Sequence, residues 1–290
     1  MDSLPLTAPA PSNPAPVSSS KQSAPWAPIL APLRALSIYH LTLVLVLLAA
    51  LAGLWDFPPG SRLSALFTLV LAAAVCAGAD ALLLFQSKRV WKLSENSLIS
   101  GLLIGSILAP ETSPFLVAAI AILSVLLKRL LHEGPFPVFN PAAAALALGG
   151  ILFGTLDAWW AFVPSGPGLL ILVLAILLLS WKQNRWQMEL VFLLAWLAAW
   201  ALFLRLPPLA PGLAGLNALL GLLPLYLMAF MLLEPKTSPL RPKQQCIYGA
   251  IAALVAVFLL PLSTATDMAL VGLLIANLAK KAMEKLKFGI

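Results

Sequence analysis

The sequence has 290 residues, of which 61% are hydrophobic and 10% charged, with a formal net charge of +7. Soluble domains are roughly 25% charged, and so many long apolar runs cannot all hide in one soluble core, so a multi-pass membrane protein is expected and an ordinary water-soluble domain is excluded. The positive balance is that of membrane-flanking loops, and no basic–aromatic patch points to nucleic acid.

In chain order, residues 1–34 come first, with eight prolines before position 33 among Ser and Ala. This composition predicts a disordered cytoplasmic extension. It lacks the apolar stretch after a charged start that marks a cleaved signal peptide. Ten apolar segments follow, at 37–55, 63–85, 97–109, 115–131, 140–155, 167–181, 188–204, 216–233, 244–262 and 267–283. Leu and Ala dominate them without period-2 alternation, so the spans are helices rather than barrel strands.

With the N-terminus placed in the cytoplasm, sixteen of the 18 Lys and Arg residues fall inside, and only Arg62 and Arg205 fall outside. This split predicts ten spans with both termini cytoplasmic. Trp55, Trp91, Trp159, Trp160, Trp181 and Trp186 fall near span ends, as expected of an interfacial aromatic belt. Cys76 and Cys246 belong to no Cys/His cluster and are expected to be inert small residues with no metal site.

The stretches LAPETSP (108–114) and LEPKTSP (233–239) share five of seven residues. The first follows span three and the second follows span eight, so an odd number of spans separates them and they face opposite sides. That pattern predicts an inverted repeat of five plus five helices, with halves 35–155 and 156–290. Span three has 13 residues, about 20 Å of helix against a hydrocarbon core of about 30 Å. Span eight is interrupted by Pro224 and approached through Pro207, Pro208 and Pro211. Short or broken helices at these two positions are where such folds place their sites.

Within the copies, Ser113-Pro114 and Ser238-Pro239 read as helix starts, Ser as N-cap and Pro as first residue. Thr112 and Thr237 are candidates to face a ligand. Glu234 ends span eight, where the helix dipole disfavours an anion; it either pairs with Lys236 or contacts a cation or proton. Asp80, at the inner end of span two, is exposed at the interface, paired with Lys88, or part of an ion path. Asn140-Pro141 opens span five as cap and first residue. Ala142 to Ala145 make a slim helix that admits a close neighbour.

The segments FNPA (139–142) and EPKTSP (234–239) resemble motifs of the NqrB/RnfD family, the flavin-binding membrane subunits of the sodium-pumping NADH:quinone reductase and of the Rnf electron-transport complex. Phe139, Asn140, Pro141 and Ala142 match a span-five entry of the form Asn-Pro-Phe-Asn-Pro-Ala. Pro235, Thr237, Ser238 and Pro239 match Asp-Pro-Val-Thr-Ser-Pro, with Glu234 in the acid's place. The resemblance covers about 37–285 and implies a ten-helix membrane subunit of a redox-driven ion pump in the bacterial inner (plasma) membrane. It also implies other membrane subunits and a flavoprotein as partners. The family attaches flavin mononucleotide to the Thr of Ser-Gly-Ala-Thr between spans five and six. Here Ser165-Gly166 is followed by Pro167, and Thr155 lacks that context, so no covalent flavin is expected. The expected alternatives are a non-covalent flavin (FMN or riboflavin) near Asn140, Pro141, Thr237 and Ser238, or reliance on partner flavoproteins. A second reading is a stand-alone small-solute channel or transporter, since the five-plus-five arrangement also resembles that of urea channels.

Overall fold

The computed structural model describes residues 32–162, 166–204, 220–262 and 266–286. The segment 1–31, Ser165, Arg205, and Pro207, Pro208 and Pro211 lie outside them. Residues Ser37–Ile290 form one compact unit, and Met1–Leu36 group separately.

The chain is mostly helical. Its helices are α1 (Ile38–Asp56), α2 (Pro59–Lys88), α3 (Glu95–Ile107), α4 (Pro114–Leu130), α5 (Pro141–Phe153), α6 (Gly166–Gln183), α7 (Trp186–Ala199), α8 (Leu225–Leu227), α9 (Pro242–Leu259) and α10 (Met268–Lys285). A wider π-helical turn extends α7 over Trp200–Leu204, and another extends α8 over Met228–Leu232. A two-stranded hairpin, β1 (His132–Glu133) with β2 (Phe136–Pro137), joins α4 to α5. Five of the described helices are long and apolar enough to cross a membrane, so the protein is a helical membrane protein.

Local chemistry explains the boundaries. Ser37, Ser113, Asn140 and Asp267 each accept a backbone N–H of the helix they open. Pro114 and Pro141 occupy first-turn positions, where a missing N–H costs nothing. One expectation is corrected: Ser238-Pro239 does not open a helix, because α9 begins at Pro242. Ser238 instead donates to the carbonyl of Glu234 at 2.6 Å.

α3 is buried along almost its whole length. Its Gly101 and Gly105 lie four apart and let α2 approach. A Cβ at Gly101 would sit 2.6 Å from the Ala72 carbonyl oxygen, and one at Gly105 would sit 2.6 Å from Leu69 Cα. This is the close helix contact that small residues permit inside a bilayer. Ala142, Ala143 and Ala145 of α5 are likewise fully enclosed.

The packing has a recurring form. α1 packs on α2 and α3, α2 on α4, and α4 on α5; α6 packs on α7 and α8, α7 on α9, and α9 on α10. Between these sets, α1 packs on α6 and α5 on α10. The two TSP corners lie at opposite ends of the bundle. Ser64 and Thr68, near the start of α2, donate to Pro110 of the first corner. Asp80, sixteen residues and about 24 Å further along α2, shares a cleft of about 530 Å³ with Lys236 of the second corner. Lys88, Lys128 and Arg129 line that cleft too, making a lysine-rich face.

The aromatic belt needs one revision. Trp55, Trp91, Trp181 and Trp186 are exposed, but Trp160 is 5% exposed and donates to the Gly105 carbonyl at 2.9 Å. Trp159 donates to Asp267 at 2.6 Å.

Candidate functional site

α3 and α8 both end inside the protein, and a helix end leaves its last carbonyls without partners. In water these carbonyls are solvated; in a membrane interior the protein must supply donors. The two ends are satisfied differently. The loop after α5 lies against the end of α3: Ala158 N–H and Trp159 N–H both donate to Ile107 O at 2.7 and 3.0 Å, and Ala161 N–H reaches Ser106 O at 3.4 Å. At the end of α8 one guanidinium does this. Arg185 donates to the carbonyls of Leu233 (3.3 Å), Glu234 (3.2 Å) and Pro235 (3.1 Å), and to Ser238 Oγ. Arg185 is only 2% exposed, although its place among the inner loop cations suggests a solvated charge.

This clamp fixes Glu234 beside a second network. Thr237 Oγ1 donates to Glu234 Oε2 at 3.1 Å. Asn277 donates to the Thr237 carbonyl (3.4 Å) and to Tyr248 Oη (2.5 Å), and accepts the Asn140 N–H (3.0 Å). Asn140 also donates through Nδ2 to Met231 O at 3.4 Å, while its Oδ1 caps α5 through Ala143 N–H. The sequence-predicted Asn140, Pro141, Glu234, Thr237 and Ser238 are therefore brought together, with Arg185, Tyr248 and Asn277 added.

A narrow cleft of about 20 Å³ opens beside Glu234, between α1, α3, α6 and the ends of α5 and α8. That is room for one water or one dehydrated small ion. Three buried polar atoms without a hydrogen-bond partner among the described residues belong to residues lining it: Glu234 Oε1, Gln183 Oε1 and Asn96 Nδ2. Buried polar atoms are nearly always satisfied, so three orphans around one small space mark a place built to hold something polar. Tyr39 and Ser100 add hydroxyls to its wall. Lys236 does not pair with Glu234; its ammonium lies 5.5 Å from the centre of the Tyr39 ring.

Asp80 stands in a separate cluster. It accepts from Ser97 at 2.7 Å and pairs with Lys128 at 3.4 Å and Arg129 at 3.0 Å, not with Lys88. With both oxygens engaged and 3% exposure, Asp80 serves as a buried crosslink between α2, α3 and α4. Thr112 lies at the first corner, where its N–H turns back to Ala109 O at 2.9 Å; the structure does not bring it to Glu234. Glu189, in the first turn of α7, is 5% exposed with neither carboxylate oxygen partnered among the described residues. Its position before an apolar run carries no signal of burial.

The fit to a flavin can be judged from the same contacts. Asn140, Thr237 and Ser238 are 0–2% exposed, their side chains engaged in hydrogen bonds within the protein, and the cleft at Asn140 is far smaller than a three-ring system. Ser238 also lines an open cleft of about 280 Å³ with Lys236, Arg241 and Lys280. Thr155 is 5% exposed, with its hydroxyl facing α5 at Gly149, so it offers no attachment point. The Asn140 cleft therefore does not admit a flavin ring. No protein-family model matches the chain, and no curated protein matches its sequence.

Proposed function

We propose that the protein is an integral membrane subunit of a redox-driven, ion-translocating electron-transport complex, similar to the quinone reductase and Rnf subunits whose motifs it shares. In this reading the cleft at Glu234 is a station for a monovalent cation or a proton. One observation carries it: Glu234 and Gln183, which line one ion-sized space beside the broken end of α8, each keep a side-chain oxygen without a partner among the described residues. Oxygen ligands of this kind suit small hard cations, and an unpaired intramembrane carboxylate is a functional group by default. The meeting of the two motif matches, 139–142 with 234–239, through Asn140, Met231, Asn277 and Thr237 supports the family resemblance.

The finer architecture proposed is a five-plus-five inverted repeat of ten spans. Four packing pairs of α1–α5 recur with every helix number raised by five, and α1–α6 and α5–α10 join each helix to its counterpart. The gathering of Lys88, Lys128, Arg129 and Lys236 on one face supports a cytoplasmic orientation for that face. Motion of one half against the other would expose the Glu234 cleft to alternate sides. The redox group belongs to partner flavoprotein subunits, and this chain holds and passes the ion.

Glu234→Gln is expected to abolish sodium- or proton-coupled transport in proteoliposomes of the assembled complex while folded protein is recovered at the normal yield; unchanged transport removes Glu234 from the ion path. Co-purification with flavoprotein subunits supports the complex. A second reading, a stand-alone small-solute channel, is favoured by the polar cleft lying between the two halves. A particle that purifies alone and conducts a small neutral solute would establish that reading against the first.

A further inference from the structure

A separate, partly open cleft lies at the opposite end from the lysine-rich face, and the ion path does not use it. It has a volume of about 220 Å³ and is walled by Trp159, Phe162, Trp196, Trp200 and Tyr226, with Asp267 at its edge. The rings are set rather than loose. Trp159 donates to Asp267 Oδ2 at 2.6 Å, Trp196 donates to Leu222 O at 3.0 Å, and Tyr226 shares a 2.6 Å hydrogen bond with Ser106. Trp159 and Tyr226 meet edge to face with centroids 6.1 Å apart. Trp159 is held at φ 46°, a left-handed conformation that is strained for a bulky residue and persists only where the surroundings enforce it.

The charge beside this aromatic wall has one sign. Asp157, on the same loop as Trp159, has both carboxylate oxygens buried and without a hydrogen-bond partner among the described residues. Burial and the neighbouring Asp267 push its carboxyl up to about 7. An anion would be repelled here, and a neutral apolar occupant would add no charge to balance Asp267, whose two oxygens are held by neutral donors only. A coordinated metal is disfavoured as well, since no group of three metal-ligating side chains exists among the described residues. Aromatic faces with a nearby carboxylate recognise a cation that carries its own apolar surface. The volume lies below the roughly 300–1,000 Å³ of sites for drug-sized molecules, which restricts the occupant to a small one.

The geometry points to an organic-cation site: the Trp159–Trp196–Trp200–Tyr226 cage with Asp267 binds a quaternary ammonium group of choline size. Free choline and the headgroup of phosphatidylcholine share this chemistry. The site is independent of the Glu234 cleft, and its failure leaves that cleft untouched.

The test is equilibrium binding of labelled choline to the full chain in phosphatidylglycerol nanodiscs. Saturable binding is expected, with no competition from the neutral isostere 3,3-dimethylbutan-1-ol. Trp200→Leu, which removes a ring whose Nε1 has no partner among the described residues, is expected to weaken binding about fivefold. Asp267→Asn keeps the N-cap to Ala269 but removes both the charge and the acceptor for Trp159 Nε1, and is expected to weaken it at least about tenfold. Unaltered thermal unfolding of both variants separates loss of the site from loss of the fold. In phosphatidylcholine nanodiscs, absence of choline binding identifies the lipid headgroup as the occupant, and retained binding identifies free choline. No saturable binding below about 10 mM in phosphatidylglycerol, full competition by the neutral isostere, or an Asp267→Asn variant that binds normally each overturns the proposal.

Discussion

At the scale of single residues, Arg185 has the largest predicted effect. Its guanidinium supplies donors to three carbonyls and one hydroxyl; the Glu234 carbonyl also accepts from Ser238, whereas those of Leu233 and Pro235 have no other donor among the described residues. Leaving a buried acceptor unsatisfied costs about 1–3 kcal/mol each. With two carbonyls orphaned, Arg185→Ala is therefore expected to destabilise the protein by at least about 2 kcal/mol, read as a lower unfolding temperature in detergent. Arg185→Lys keeps the charge but loses the planar fork and should fall between the two. Asp157 gives a pH effect of definite sign. Its carboxyl is pushed up to about 7 in the folded protein, first by burial and then by Asp267, whereas an unfolded chain releases that proton near 4. The folded state thus holds the extra proton, and its stabilising effect, complete below about pH 4, is lost as pH rises through 7. Unfolding temperature should decline between pH 5 and pH 8 in the native protein, and Asp157→Asn should flatten that decline.

At the scale of helices, close approach and open space make opposite predictions for the same substitution. Gly101→Ala places a methyl group 2.6 Å from Ala72 O and Ala73 Cα on α2, so α3 must move away and stability should fall. Gly78→Ala meets nothing within 4 Å and should be neutral or stabilising by up to about 1 kcal/mol, because Ala is the better helix former. Comparing the two unfolding temperatures checks both.

Helix positions are legible in the sequence because they rest on local signals. Long apolar runs, Ser113 before Pro114 and Asn140 before Pro141 place helices within a few residues of where they lie. Pro224 marks the restart of α8. The same logic fails at Ser238-Pro239, where Arg185 and the Glu234 carbonyl capture the serine and delay α9. What stays hidden is long-range. Asp80 pairs with residues 48 and 49 positions away rather than with nearby Lys88, and Arg185 is buried by a corner 50 positions on. Nothing in local composition encodes such partners. Glu234 is readable as a site because a carboxylate at a helix end contradicts the dipole; Gln183 and Asn96, its companions in the cleft, contradict nothing locally.

At the scale of the whole molecule, the proposed inversion of the halves has a direct check. Glu111 of the first corner and Leu240 beside the second are both exposed. In cells carrying a single introduced cysteine on a background lacking Cys76 and Cys246, Glu111→Cys should react with an impermeant maleimide added outside. Leu240→Cys should react only after the membrane is opened. Labelling of both from the same side overturns the inverted arrangement and with it the cytoplasmic placement of the lysine-rich face.

The unequal treatment of the two inner helix ends bears on which side of the molecule yields first. The end of α3 is zipped by several backbone N–H groups, and releasing it means peeling a whole loop. The end of α8 hangs mainly on one side chain, and rotation about the torsions of Arg185 frees the Leu233 and Pro235 carbonyls at once, while Ser238 keeps the Glu234 carbonyl. The first is a seam and the second a latch. The two ends therefore yield unevenly: the one beside the lysine-rich face lets go with a single side chain, while the far one holds until something heavier pulls on it.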